Sequence, residues 1–388
     1  MKSPQAYPDA LYVHLPFCAA LCTDCDFASE VYAAARAQRY LDALEKELRA
    51  RLVALDVGSP ENSFAPKTVF LGGGTPSALN IPELTRFFSI LTSQVDLTRV
   101  EEFTIEANPG STEPAKLDFL LARGVNRISF GVQSFQPHLL KLLGRVHGAS
   151  QGREAVRMAR AAGFQNVSID LMHGLPTQSH DDLRRDLDEA IALNTDHLSA
   201  YGLIYEDGTP LKSAVDRGTV APLEAEDESV HYTTVMETLD RAGLPQYEIS
   251  NYARPGREAR HNIVYWRNES YLGVGVSAAS CVDFERTVNF IEMDRYMQAA
   301  EAGGIAIHTR ETLDPEKRAR ESLVMELRLA RGVDTREFEA RWGCNPLQGS
   351  KSLATFFKEG LMETLPDGRI RITRAGMPVA DGILSEFV

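Results

Sequence analysis

The chain has 388 residues, 44% hydrophobic and 24% charged, an ordinary composition for a chain that buries a core, and it is longer than one compact domain usually runs. Its 41 basic and 54 acidic residues give a net charge of −13, the wrong sign for general attraction to phosphate backbones, so nucleic acid is not an expected partner. No apolar run approaches the ~20 residues of a membrane span, and the start MKSPQAYPDA lacks the features of a secretory signal; a cytoplasmic location with reduced thiols is expected.

From Leu11 to about Gly202, short apolar or β-branched runs alternate with segments of helical spacing. The runs are LYVHL (11–15), TVFLGG (68–73), EFTIEA (102–107), RISFGV (127–132), VSIDLM (167–172) and HLSAYGL (197–203). Tyr40, Leu41, Leu44 and Leu48, or Leu183, Leu187 and Ile191, show the intervening three-to-four spacing. Repeated strand–helix units predict a parallel sheet with helices outside, an α/β barrel whose strand C-terminal ends share one face. Functional residues are expected on that face.

The first strand runs into Cys18-Ala-Ala-Leu-Cys22-Thr-Asp-Cys25, which puts three thiols on one strand-end loop. Three soft ligands suit an iron–sulfur cubane with one open corner, whereas a structural zinc site completes four protein ligands. His14 or Asp26 would close such a zinc site, and that reading stays open on spacing alone. Gly72-Gly73-Gly74-Thr75-Pro76 follows the second strand, where absent side chains let the backbone approach a ligand. It has neither the Lys-Ser/Thr of a phosphate loop nor dinucleotide spacing. Later strand ends carry Glu106, Gln133, Arg145 and Asp170, groups able to hold an ammonium, ribose hydroxyls or a carboxylate.

Residues 212–258 are polar and acidic, with EAEDE at 224–228 ahead of a helix-like run HYTTVMETLDRAG (231–243). His261-Asn262-Ile263-Val264-Tyr265-Trp266 reads either as a packed loop or as an imidazole beside two aromatic rings. Beyond about residue 315 the predicted elements are helices (EKRARESLVMELRLA, TREFEARWG, SKSLATFFKEG) and a hairpin, LMETLPDGRIRIT, with a Pro-Asp-Gly turn. The expected organisation is a barrel domain over 1–290 and a small winged-helix-like domain over 315–388. The acidic balance favours packing against the barrel over DNA binding.

The cysteine spacing after a first strand resembles the radical S-adenosylmethionine (SAM) superfamily, and the ordered strings from Leu11 to about Ala279 are similar to its HemN/HemW group. The resemblance implies a partial (β/α)6 TIM-like barrel and a 4Fe-4S cluster on Cys18, Cys22 and Cys25. It also implies SAM contacts at Tyr12, Asp24, Gly73, Gly74, Thr75, Glu106, Gln133, Arg145 and Asp170. Asp24 departs from the usual aromatic residue before the third cysteine. The dehydrogenase branch carries a further cysteine two positions after the third, where this chain has Phe27. The HNxxYW string and CDFAS resemble instead the HemW branch, reported as heme carriers. That implies bound heme with contact at His261, delivery to heme-receiving apoproteins, an electron donor for the cluster, and contact with membrane-bound acceptors without a membrane span. Oxidative decarboxylation of a porphyrinogen is the alternative activity, and Phe27 argues against it. A radical reaction on an unrelated substrate is the third.

Overall fold

A computed structural model describes residues 7–57, 62–347 and 353–387. Six parallel strands lie side by side in chain order: β1 (Ala10–Leu15), β2 (Thr68–Gly73), β3 (Glu102–Ala107), β4 (Arg127–Gln133), β5 (Asn166–His173) and β6 (His197–Gly202). Helices Ala34–Ala54, Ile81–Thr92, Pro114–Ala122, Ala149–Ala162, His180–Ala192 and Ala225–Arg241 follow them in turn. Side chains alternate along each strand, so Leu11, Val13 and Leu15 join Tyr40, Leu41, Leu44 and Leu48 of the first helix in one core. Tyr12 and His14 take the opposite face, inside the curved sheet.

The sheet stays open. Tyr271–Val274 pairs in parallel with the outer side of β1 and leads into antiparallel strands Ala279–Val282, Glu285–Asn289 and Ile307–Thr312. At the far edge Asn251–Ala253 runs antiparallel to β6 and is followed by Gln246–Glu248. The result is a 12-stranded sheet around a partial barrel.

The helix-like run 231–243 begins earlier than its apolar spacing shows. The acidic run 224–228 lies in the start of helix Ala225–Arg241, with Glu226, Asp227 and Glu228 in its first turn. Negative side chains there complement the positive end of the helix dipole, so the acidic run is the helix start.

The C-terminal segment has its own apolar cluster, built from Leu323, Leu327, Phe338, Met362, Ile370 and Ile383 among others. Helices Pro315–Glu326, Thr335–Trp342 and Leu353–Lys358 pack beside a sheet of Val333–Asp334, Arg369–Ile372 and Met362–Thr364. The expected hairpin is present: Met362 faces Ile372, and Leu365 N–H donates to Arg369 O at 2.7 Å across the turn. Of the expected helix SKSLATFFKEG, residues 350–352 lie outside the described residues. The helix expected through Ala330 stops at Glu326, because Leu329 bridges to Glu248 and Ala330 N–H donates to Tyr247 O at 2.9 Å. Tertiary pairing with the barrel edge overrides helical propensity here.

Candidate metal and cofactor site

After β1, Phe17 and Cys18 pair with Glu30 and Val31, closing the base of the loop that carries the three thiols. Its outer part is tied to the helices Pro137–Leu142 and Pro210–Asp216: Thr23 N–H and Oγ1 donate to Leu143 O (3.1 Å) and Leu142 O (2.8 Å), and Leu211 N–H donates to Thr23 O (2.9 Å). Cys18, Cys22 and Cys25 are free and partly buried. Burial pushes the Cys25 thiol up to about 11 and raises Cys22 as well, with the neighbouring cysteines acting in the same direction. Three mutually repelling thiols on one loop gain by giving their protons up to a bound metal group.

The zinc alternative loses its nearest fourth ligand. His14 Nε2–H donates to Ala28 O at 2.8 Å, which makes Nδ1 the acceptor of the Tyr12 hydroxyl at 3.1 Å, so both ring nitrogens are engaged. Asp26 is exposed. Among the described residues no three His, Cys, Asp or Glu side chains converge on a single-ion site. A cubane asks for less convergence, because each thiolate bonds a different iron.

The glycine run lies alongside this loop. Gly74 N–H donates to Leu15 O (3.0 Å), Thr75 N–H to Phe17 O (2.9 Å), and Thr75 Oγ1 is 3.6 Å from Cys18 Sγ. Gly73 has φ +111°, and a Cβ there would stand 2.6 Å from the His14 ring; one on Gly74 would stand 2.6 Å from the Pro16 backbone. Glycine is therefore required for the two chain segments to lie this close.

Below this rim the inward faces of the strands carry charge. Glu106 accepts from Gly73 N–H at 3.3 Å, and burial, then the nearby Asp170 carboxylate, push it up to about 8. Asp170 accepts from Ser129 Oγ at 3.0 Å and is itself raised by burial, with Ser199, Ser129, Arg127 and Arg145 opposing the shift. Two carboxylates held at this depth favour a cationic or hydroxyl-bearing ligand. Gln133 sits in the left-handed region at φ +67°, beside a register shift in the pairing of β4 with β5. Sequence reading missed Arg127, the buried first residue of β4, whose charge acts on Glu106 and Asp170. Its shared parity with Ser129 and Gly131 was the available signal.

Arg145 and Asp24 meet over the mouth. Arg145 Nη2 is 3.5 Å from Asp24 Oδ2, and Arg145 also acts electrostatically on Cys22 and Asp170. The structure thus brings Tyr12, Gly73, Gly74, Thr75, Glu106, Arg145, Asp170 and the thiol loop to one end of the barrel. Asp24 belongs there by a side-chain ion pair.

His261, expected to contact heme, lies apart from the thiol loop. It is fully buried beside Thr68, the first residue of β2, with its ring 5.3 Å from that of Phe70, which in turn lies 6.2 Å from the Tyr12 ring. Its Nδ1 bonds with Thr68 Oγ1 (2.9 Å) and its Nε2 with the Tyr265 hydroxyl (2.8 Å), leaving no open ligand nitrogen. Burial, then Arg127, lower it to about 3. The string HNIVYW is helix Arg260–Trp266, whose first N–H groups, on Arg260 and His261, donate to Glu102 at 2.9 and 3.0 Å. It plugs the barrel floor. Gly275 lies against Tyr40 and His14 O, and its N–H donates to buried Glu47 at 2.8 Å.

Residues 12–190 match the profile of the radical SAM superfamily and residues 313–379 that of the HemN C-terminal domain. The chain is 34% identical to the heme chaperone HemW of Bacillus subtilis over 97% of its own length and 98% of that protein. It is 38% identical to the heme chaperone HemW of Escherichia coli over 71% of each. Among solved structures, the coproporphyrinogen III oxidase HemN of Escherichia coli superposes with a TM-score of 0.83 at 26% identity, covering 98% of this chain and 90% of that one.

Proposed function

Because the chain belongs to the radical SAM superfamily, within its HemN/HemW group, we propose that it is a heme chaperone that carries a 4Fe-4S cluster and SAM and passes heme to apoproteins. The observation that carries this reading is similarity of about one third to curated heme chaperones over nearly the whole chain. Cys18, Cys22 and Cys25 hold the cluster, and the run Gly73–Thr75 lies beside it for the methionine end of SAM. Glu106, Asp170 and Arg145 supply two carboxylates and a guanidinium for the amino, ribose and carboxylate groups. When bound, the cluster supplies an open iron for SAM and an electron.

The residues fit such a ligand. Buried carboxylates without a full set of donors favour a cation, and the glycine cradle leaves room at the backbone. Heme is taken at the apolar rim of the same end: Leu21 and Phe27 on the thiol loop, Val146 after β4, and Tyr201 and Ile204 at the end of β6 are all exposed. Exposed apolar side chains gathered on segments of one face suit a flat macrocycle better than water. No helix among the described residues is long and apolar enough to cross a membrane, so membrane-bound acceptors are met at a surface.

The fold match to a coproporphyrinogen oxidase keeps a second reading, oxidative decarboxylation of a porphyrinogen. Anaerobic reconstitution followed by metal and sulfide analysis, heme titration and coproporphyrinogen turnover separates the two. Heme uptake with four irons and no turnover is expected. Stoichiometric zinc without sulfide would remove the cluster, and turnover would favour the second reading.

A further inference from the structure

The ion pair above the barrel mouth is poorly made for a structural one. An Arg–carboxylate pair kept for stability usually closes two short parallel hydrogen bonds. Here one contact of 3.5 Å joins Arg145 to Asp24, with both side chains largely buried at 14% and 9% exposure. Asp24 Oδ1 and Arg145 Nε are both buried with no hydrogen-bond partner. Unfilled donors and acceptors at that depth are costly, and a native protein retains them where something else completes them.

The location says what that something is. Arg145 is the cation that acts on Cys22, and it also acts on Asp170, so it stands between the thiol loop and the inner carboxylates. A ligand that puts a carboxylate beside the cluster would meet this guanidinium, and its partner within the chain, Asp24, already is a carboxylate. The Asp24 backbone is held in the loop fixed by Thr23, whose N–H and hydroxyl donate to Leu143 and Leu142. Only the Asp24 side chain has to turn away for Arg145 to change partners.

Resting on the SAM reading above, we propose that Asp24 is a built-in competitor for Arg145: its carboxylate occupies the guanidinium until the carboxylate of SAM displaces it. Asp24 thus sets the affinity for SAM and favours ligands that bring their own carboxylate. A ligand with the same adenosyl and sulfonium groups but no carboxylate leaves the pair in place.

Calorimetric titration of the cluster-loaded protein with SAM and with decarboxylated SAM tests this, using wild type, Asp24→Asn and Asp24→Ala, each checked for iron content and melting temperature. Losing the competitor should tighten SAM about five- to tenfold in both variants and leave decarboxylated SAM unchanged or weaker, since a negative charge near a cation is gone. Unchanged or weaker SAM binding in the folded variants overturns the competitor role. Equal tightening of both ligands overturns it too, because the effect would not then run through the carboxylate. Wild-type protein with an intact cluster that binds no SAM fails differently, and takes down the SAM reading itself.

Discussion

Glu106 shows how a single side chain links the fold to ligand binding. Its raised position near 8 leaves the carboxyl largely protonated at pH 7. Because the folded value lies above the unfolded one, its contribution to stability is complete below about 4.5 and is lost as pH rises through 8. An ammonium or ribose hydroxyl placed beside it favours the charged form, so SAM binding should release protons near pH 7 and tighten as pH rises from 6 to 8. Calorimetry in buffers of different ionisation enthalpy reads that release directly; Glu106→Gln should abolish it and cost roughly 1.5–3 kcal/mol of binding. A release that persists in the variant would assign it elsewhere.

Gly73 carries a different kind of constraint at the same scale. With φ +111° and the His14 ring where a Cβ would be, Gly73→Ala meets both backbone strain and a steric clash. The expected cost is about 1–3 kcal/mol, read as a lower melting temperature together with poorer cluster retention, since His14 anchors Ala28 of the thiol loop. Both consequences were partly legible in the sequence. A triple glycine after a strand signals close approach, but which side chain fills the space depends on β1 and β2 pairing in register, His14 opposite Gly72.

At the scale of elements, the strands were the most legible part. Runs such as TVFLGG and EFTIEA are buried on both faces, so their apolar character is continuous and their ends sharp. The string HNIVYW was the least legible, because an imidazole beside two aromatic rings reads alike as a porphyrin contact and as a hydrogen-bonded plug. Spacing along the chain does not tell which end of a barrel a returning segment reaches. Glu102, at the start of β3, accepts from the first turn of helix Arg260–Trp266 and so holds the string at the strand starts. His261→Ala strands Thr68 and Tyr265 without their partner and should cost about 2–4 kcal/mol. Iron content and the heme spectrum of the folded variant should match wild type. A shifted Soret band would return His261 to the heme site.

At the scale of the molecule, the two ends of the barrel differ: the thiol loop and the inner carboxylates lie toward one, and the seam with the C-terminal domain lies at the other. The seam is polar and specific. Buried Arg318 donates from Nη2 to Asn268 O at 2.9 Å and from Nη1 to Asn268 Oδ1, while Arg328 lies 5.5 Å from the centre of the Trp266 ring. Arg267 pairs with Glu337 at 2.8 Å, and Arg341 donates to the carbonyl oxygens of Arg267 and Asn268. Because Asn268 directly follows the plug helix, the C-terminal domain braces the barrel floor and does not reach the thiol loop. Arg318→Ala removes the donor to buried Asn268 Oδ1, while Asn268 O keeps Arg341, at an expected cost of about 1–3 kcal/mol. The melting transition should fall, and it should broaden or split as the two apolar clusters lose their coupling. SAM affinity measured well below that transition should stay within twofold of wild type, because the site lies at the opposite end of the strands. A large loss of SAM affinity in the folded variant would mean that the floor and the mouth are mechanically coupled.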